Sequence, residues 1–518
     1  MLTLLWIAPL PALAAAGLAT DVSPLVFDGA QRRLTLDLDS PGRLLLGVTA
    51  LLWIAAGVYA RSYLREDPKA PRFAEWWLAT MTGSLGVFLA ADLFTFYIAF
   101  ALASLPAWGL VVHDDTVPAR RAGAIYLALA VVAEIALLLG FALLAAGEPS
   151  ESLAIRDVLA ALPTAPGKPF TIALLVLGFG LKGGLVPLHV WLPLAHPAAP
   201  MPASAVLSGA LIKAGVIGFL RFLPLDPALT GWGTGLAALG FLTAFYAVGV
   251  GITQSNPKTV LAYSSVSQMG GVTAILGMAL ARGDAAGVSA ASFAAAHHVL
   301  IKGALFLAVG VAVVTGGRRR RIFVLVPAVV LSLSLGGFPL TGGALVKLAA
   351  KASMAGSLVA MLAALSAAGT TLLMLHFVDR LGRISAGTPA ARIPMGMLAS
   401  WAVMAAAAIA VPWWLAPTLV GVSGADVVMP SVFWDALWPV GLGAALAVAL
   451  RHFGRLLPLV PEGDLVVLGR PAARVAGDFA DRLECADRRL REWPMAVVAL
   501  LSLVILLGAI LAQSGGNR

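Results

Sequence analysis

Lysines, histidines and a glutamate recur inside apolar runs of this chain: Lys182, His189, Lys213, His298, Lys302, Lys347 and Glu134. Ammonium, imidazole and carboxyl groups all titrate. Held out of water, they are expensive to keep, so in a membrane they mark ion or proton paths. The densest case is FGLKGGLVPLHVWLPLAHPAAPMP, Phe179 to Pro202. Some ten apolar residues precede Lys182 and a further apolar run follows it, which argues against a simple reach to the headgroups. Gly183, Gly184 and Pro187 follow it, and His189 and His196 come within three turns of that break. Gly and Pro free backbone groups that must face protein or water rather than lipid. A helix broken and charged at mid-membrane is the usual form of an ion site in a transporter.

The elements that hold these residues follow from composition. The chain has 518 residues, 60% hydrophobic and 12% charged, and its mean hydropathy is +0.93. A soluble chain of this length needs far more charge, so the expected fold is an all-α polytopic membrane protein. The net charge of +9 sits in short loops between apolar runs, where topology rather than nucleic acid accounts for it. The single cysteine, Cys485, excludes an iron–sulfur cluster ligated within the chain and an internal disulfide. No nucleotide fingerprint or CxxCH is present. No cofactor, metal or hydrolytic site is expected, and a localisation in the inner (plasma) membrane is.

Hydropathy divides the chain into about 15 spanning helices, the first over 2–19 rather than a cleaved signal. The basic loops RSYLREDPKAPR, GGRRRR and DRLGRISAGTPAAR all fall on one side of this count, the cytoplasmic one. Lys258 and Arg318 to Arg321 read as topology markers. Residues 451–493 read as an amphipathic cytoplasmic segment and 494–512 as the last span. Two runs of five helices stand out, 75–222 and 223–380, between N-terminal helices (1–74) and C-terminal helices (381–518). In each run the fourth helix is interrupted by Gly and Pro and carries a lysine, Lys182 or Lys347. Five is odd, so successive copies enter the membrane from opposite sides, which defines an inverted repeat.

Four segments carry a resemblance: FGLKGGLVPLHVWLPLAHPAAPMPASAVLSGALIKAGVIGFLR, NPKTVLAYSSVSQMG, HHVLIKGALFLAVG and LSLGGFPLTGGALVK. Together they resemble the antiporter-like, proton-conducting subunits of Mrp-type cation/proton antiporters, respiratory complex I and membrane-bound hydrogenases. The resemblance implies two inverted five-helix repeats and a hydrated polar axis. It also implies a proton relay through Lys182, Lys213, His298 and Lys347, with Lys302 in the same HxLxK segment and His189 open between relay and structural roles. Histidine titrates near neutrality and can bridge lysines through water.

One departure bears on that expectation. The family usually has a glutamate, paired with the first lysine, in the segment FYIAFALASLPAW; here its place is taken by Ala101. Glu134, isolated in VVAEIALLLG, is the expected substitute, facing either inward or a neighbouring subunit. Asp92 reads as a cap at a tight junction. Tyr263, Ser264, Ser265, Ser267 and Gln268 read as interhelical hydrogen-bonding residues.

The favoured expectation is a proton-translocating subunit of an Mrp-like multisubunit antiporter, working with other integral membrane subunits. Protons, with sodium or another monovalent cation, would be its ions, and nucleic acid is not a partner. The length and the pattern PEGDLVVLGR…REWP favour this over a complex I subunit. A membrane-arm subunit of a complex I-like oxidoreductase or of a membrane-bound hydrogenase is the second reading. A non-conducting scaffold, suggested by Ala101, is the third reading.

Overall fold

The structure, a computed structural model, describes residues 1–18, 23–28, 33–165, 167–315, 318–384, 393–454, 457–458 and 460–468. Helices α1 (Ser40–Tyr63), α2 (Ala70–Gly86), α3 (Leu93–Ser104) and α4 (Ala107–Val111) lead to α5 (Val117–Ala146). The first broken helix is α6 (Lys168–Gly183) with α7 (Trp191–Ala198). Then come α8 (Met201–Phe222), α9 (Thr230–Gly251), α10 (Pro257–Arg282) and α11 (Ala285–Val314). The second broken helix is α12 (Arg318–Leu335) with α13 (Gly342–Ala350), followed by α14 (Ser357–Gly382), α15 (Met395–Leu419) and α16 (Pro430–Phe453).

Among the described residues, 11 helices are long and apolar enough to cross a membrane, and Leu4–Leu18 and Ile322–Leu335 are shorter apolar helices. The protein is an all-α, multi-pass membrane protein. Residues Met1–Glu462 form one compact unit. Of the second unit, Gly463–Arg518, the described part holds one short helix, Asp464–Leu468. The expected span over 494–512 and most of the amphipathic segment lie outside the described residues.

Helix starts are set by local chemistry. Asp39, Asp92, Thr116, Asn256 and Asp284 each accept a backbone N–H in the first turn of α1, α3, α5, α10 and α11. These bonds satisfy donors that the helix leaves open. Asp92 does more than cap: it also accepts from the Thr35 amide at 2.7 Å and the Thr95 hydroxyl at 2.6 Å. Thr35 belongs to a hairpin of β1 (Leu25–Asp28) and β2 (Arg33–Leu36). Its period-2 alternation is too short to stand out from the surrounding charges.

The centre of the unit is α8 and α11. Fully 94% of the most apolar window of α8 and 89% of that of α11 is buried, against 28% for α16. The two central helices also carry Lys213, His298 and Lys302, so the titratable groups sit in the most enclosed part of the fold. Beside them α9 and α10 meet backbone to backbone. A Cβ at Gly240 would lie 2.6 Å from the Ala274 amide, and one at Gly277 would lie 2.4 Å from the Ala237 amide. Small residues permit this approach, and in lipid such packing is a principal source of helix association. At the end of α8, Arg221 reaches both Asp39 oxygens (2.8 and 2.9 Å) and the carbonyls of Val87, Phe88 and Ala90, tying α8 to α1 and the end of α2.

A candidate proton-conducting axis

Two backbone breaks position the outer lysines. Helix α6 stops at Gly184, which adopts φ 77°, and not at Pro187 as the sequence suggests. The Leu185 amide turns back to the Gly180 carbonyl at 2.9 Å, closing the helix end. A residue with a Cβ is strained at that φ, so Gly184 ends the helix and leaves Lys182 in its last turn. The second break repeats the turn: Gly337 has φ 79°, and the Phe338 amide bonds the Leu333 carbonyl at 3.0 Å.

Lys182 is 3% exposed. Its ammonium donates to the Ser104 hydroxyl at 2.8 Å and lies 5.7 and 5.9 Å from the ring centres of Phe100 and Tyr126. Ser104 is delivered by the end of α3. Pro106 lacks an N–H and its ring excludes the carbonyl four residues back, so the helix yields here to α4. The Ser104 carbonyl accepts from the Tyr126 hydroxyl at 2.7 Å. On the facing helix α5, Glu134 is 6% exposed and turned inward. Its charge partner is Lys182, and the Ser104 hydroxyl is the polar group beside it. The carboxylate oxygens lie outside direct hydrogen-bond geometry. A cavity of about 10 Å³, lined by Ser104, Tyr126, Lys182 and Trp191, has room for about one water among these groups.

In the central helices, the Lys213 amine and His298 Nδ1 are 2.9 Å apart. Lys213 leaves a π-helical turn, Leu207–Leu211, that offsets α8 just before it. Lys302, one turn beyond His298 on α11, donates to the Ser264 hydroxyl at 2.5 Å and the Leu261 carbonyl at 2.9 Å. Lys213, His298 and Lys302 are all fully or almost fully buried. Ser265 and Gln268 bond between helices as expected, to Ser208 at 2.7 Å and Thr370 at 3.0 Å. Ser264 adds a role, as the hydroxyl that holds Lys302.

At the far end, Lys347 returns its ammonium toward the Gly337 carbonyl at 3.4 Å. It lines a cavity of about 460 Å³ together with His297, Gln268, Thr370, Lys351 and Asp435. His297 falls outside the HxLxK pattern, yet its Nε2 lies 3.0 Å from the Ser334 hydroxyl, at the edge of the second break. Its signal is adjacency to His298: neighbours on a helix point about 100° apart, so one ring faces the centre and the other faces α12.

The structure thus puts a buried Glu134 within electrostatic reach of Lys182, joins Lys213 to His298 with Lys302 one turn further along α11, and sets His297 and Lys347 on one cavity. No hydrogen bond links Lys182 with Lys213 among the described residues. Phe179 of α6 packs on Phe219 and Phe222 of α8. His189 lies against Tyr246 and Tyr263, with ring centres 5.3 and 6.1 Å away. Lys258, expected to mark topology, is instead buried, with its ammonium on the carbonyls of Pro197 and Ala199. Beyond the spans, burial acts to raise the Asp67 carboxyl. The hydrogen bond from His113 and the Lys69 amide outweigh it and hold Asp67 below the usual carboxylate range.

Paired broken helices flanking a buried line of lysine and histidine define the antiporter-like class of membrane proteins. The sequence model of the NADH:quinone oxidoreductase/Mrp antiporter transmembrane family matches residues 90–376, and the chain belongs to that family. Among its relatives, the hydrogenase-4 component B of Escherichia coli K12 is 33% identical over 291 residues, 54% of this chain and 43% of that protein. A component of a probable K(+)/H(+) antiporter of Rhizobium meliloti is 31% identical over 327 residues, 60% of this chain and 32% of that protein. The chain therefore spans less than half of either relative. The solved Mrp complex from Dietzia sp. DQ12-45-1b shares the fold, with a TM-score of 0.78 at 21% identity, over 98% of this chain and 60% of the matched one.

Proposed function

We propose that this chain is a proton-translocating subunit of an Mrp-like multisubunit cation/proton antiporter. Protons move along Lys182, Lys213, His298, Lys302 and Lys347, with sodium or another monovalent cation as the coupled ion. Glu134 takes the place of the family glutamate that Ala101 replaces. The observation that carries this reading is the burial of Glu134 on α5 with Lys182 as its charge partner, in a chain whose position 101 has no acid. A buried ammonium beside a buried carboxylate can hold or release a proton as the pair makes and breaks, which is what a relay needs. His297 and Ser334 extend the line toward Lys347. His189 stands at the first break as a further relay group. The shared turn at Gly184 and Gly337 supports reading 75–222 and 223–380 as inverted repeats.

The test is proton flux in vesicles holding the whole native complex, comparing wild type with Lys182→Ala and Lys347→Ala. Each substitution is expected to lower flux at least a hundredfold while the complex still assembles. Full flux in both variants would make the lysines structural and turn the assignment toward a scaffold. The hydrogenase-4 relative favours a second reading, a membrane-arm component driven by redox partners. Flux that needs an electron donor rather than a cation gradient would select it.

A further inference from the structure

His196 is buried and unused by the relay above. It lies in the last turn of α7, 0% exposed, and neither ring nitrogen has a hydrogen-bond partner among the described residues. Its ring stacks on Phe306 of α11, with centroids 4.7 Å apart. Phe306 stands one turn beyond Lys302, whose ammonium is fastened to Leu261 and Ser264 of α10. Lys258, one turn before Leu261 on α10, donates to the carbonyls of Pro197, at 3.3 Å, and Ala199, which flank the end of the helix that carries His196. One ammonium is thus held at the end of the helix that carries the imidazole, the other one turn from its stacking partner, and both charges act on it. The acid whose charge acts on Lys258 is Asp114, in the loop before α5. Beside Asp114, His113 is bonded to Asp67 at 2.8 Å.

A phenylalanine would make the same stack without leaving two polar atoms unpaired. Buried polar atoms are almost always paired, with protein or with water. Two open nitrogens in this layer suit a group that exchanges protons with both sides. We propose that His196 transfers protons between Lys258 and Lys302, making an access route from the loop of Asp67, His113 and Asp114 to the middle of the lysine line. In each passage one ring nitrogen takes a proton from the Lys258 ammonium, directly or through water. The other nitrogen releases its proton to the neutral Lys302 amine, and Lys258 is reprotonated from the loop side. One proton moves and no charge accumulates on the ring.

This inference rests on the relay of the proposed function, and the test separates the two. Proton flux is measured in vesicles holding the whole native complex. His196→Phe keeps the stack and removes both nitrogens, and His196→Gln keeps hydrogen-bonding groups that do not titrate near neutrality. Both assembled variants are expected to lose flux at least tenfold, and the remaining flux should lose its pH dependence near neutrality. Lys213→Ala in the same preparation reports on the relay. Wild-type flux in either assembled His196 variant, with Lys213→Ala inactive, overturns the access route and leaves the relay standing. Wild-type flux in Lys213→Ala overturns the relay itself.

Discussion

Gly184 and Gly337 end their helices with the same left-handed turn and the same amide hydrogen bond to the carbonyl five residues back, yet the lysines beside them live differently. Lys182 precedes its turn, is buried, has Glu134 as its charge partner and Ser104 as its hydrogen-bond partner, and lines a cavity with room for about one water. Lys347 follows its turn by ten residues and stands partly exposed on the wall of a cavity of about 460 Å³. Its nearest partner is a carbonyl, not an acid. One backbone device thus stands beside a closed site with a buried counter-charge and an open site where water can supply the solvation. In a relay, the first would set when a proton moves, and the second would let it leave or arrive.

The counter-charge is the sharpest point of that contrast. Removing one member of a buried pair costs about 3–5 kcal/mol, because the other charge is left uncompensated. Glu134→Gln is therefore expected to lower proton flux a hundredfold or more in the assembled complex. Position 101 is one turn before Ser104 on α3, so the two share a helix face. Adding Ala101→Glu to Glu134→Gln should restore at least a tenth of the lost flux, by returning a carboxylate to the same lysine from the other helix. Full flux in Glu134→Gln alone would show that the closed site does not depend on its acid.

What the sequence makes legible, and what it hides, divides along the same line. Hydropathy and the two Gly/Pro interruptions reveal the all-α membrane fold and the location of both breaks, because each is written in contiguous residues. The inward side of Glu134 is undecided at that level, since one acid in an apolar run has the same sequence whether it meets Lys182 or a neighbouring subunit. Ser104 carries no signal at all: its role comes from Pro106 ending α3 beside α6, a contact between residues 78 positions apart. Lys258 misleads because a lysine after Asn-Pro looks like a loop marker. Only the packing of α7 against α10 shows that its ammonium is enclosed by carbonyls.

Ser104 offers a smaller and more specific probe of the closed site. A hydrogen bond to a charged group contributes about 1.5–3 kcal/mol. Ser104→Ala should lower flux roughly tenfold, and Ser104→Thr, which keeps the hydroxyl, should recover most of it. If Ser104→Ala is as damaging as Glu134→Gln, the hydroxyl rather than the carboxylate sets the proton affinity of Lys182. The measurement is flux at matched assembly, read from the amount of intact complex on a native gel.

The open site makes the opposite demand. Lys351 and Asp435 form an ion pair at 2.8 Å on the wall of its cavity, with side chains 59% and 55% exposed. Pairs this exposed contribute only about 0–1 kcal/mol, and salt weakens them further. If Lys347 works in the open, the pair is a bystander. Asp435→Asn should then change flux less than about threefold, and raising the salt concentration should affect wild type and variant alike. A tenfold or larger change would mean that Asp435 governs access to Lys347. The second break would then be charge-controlled like the first, with its acid placed on α16 across a cavity instead of against the lysine.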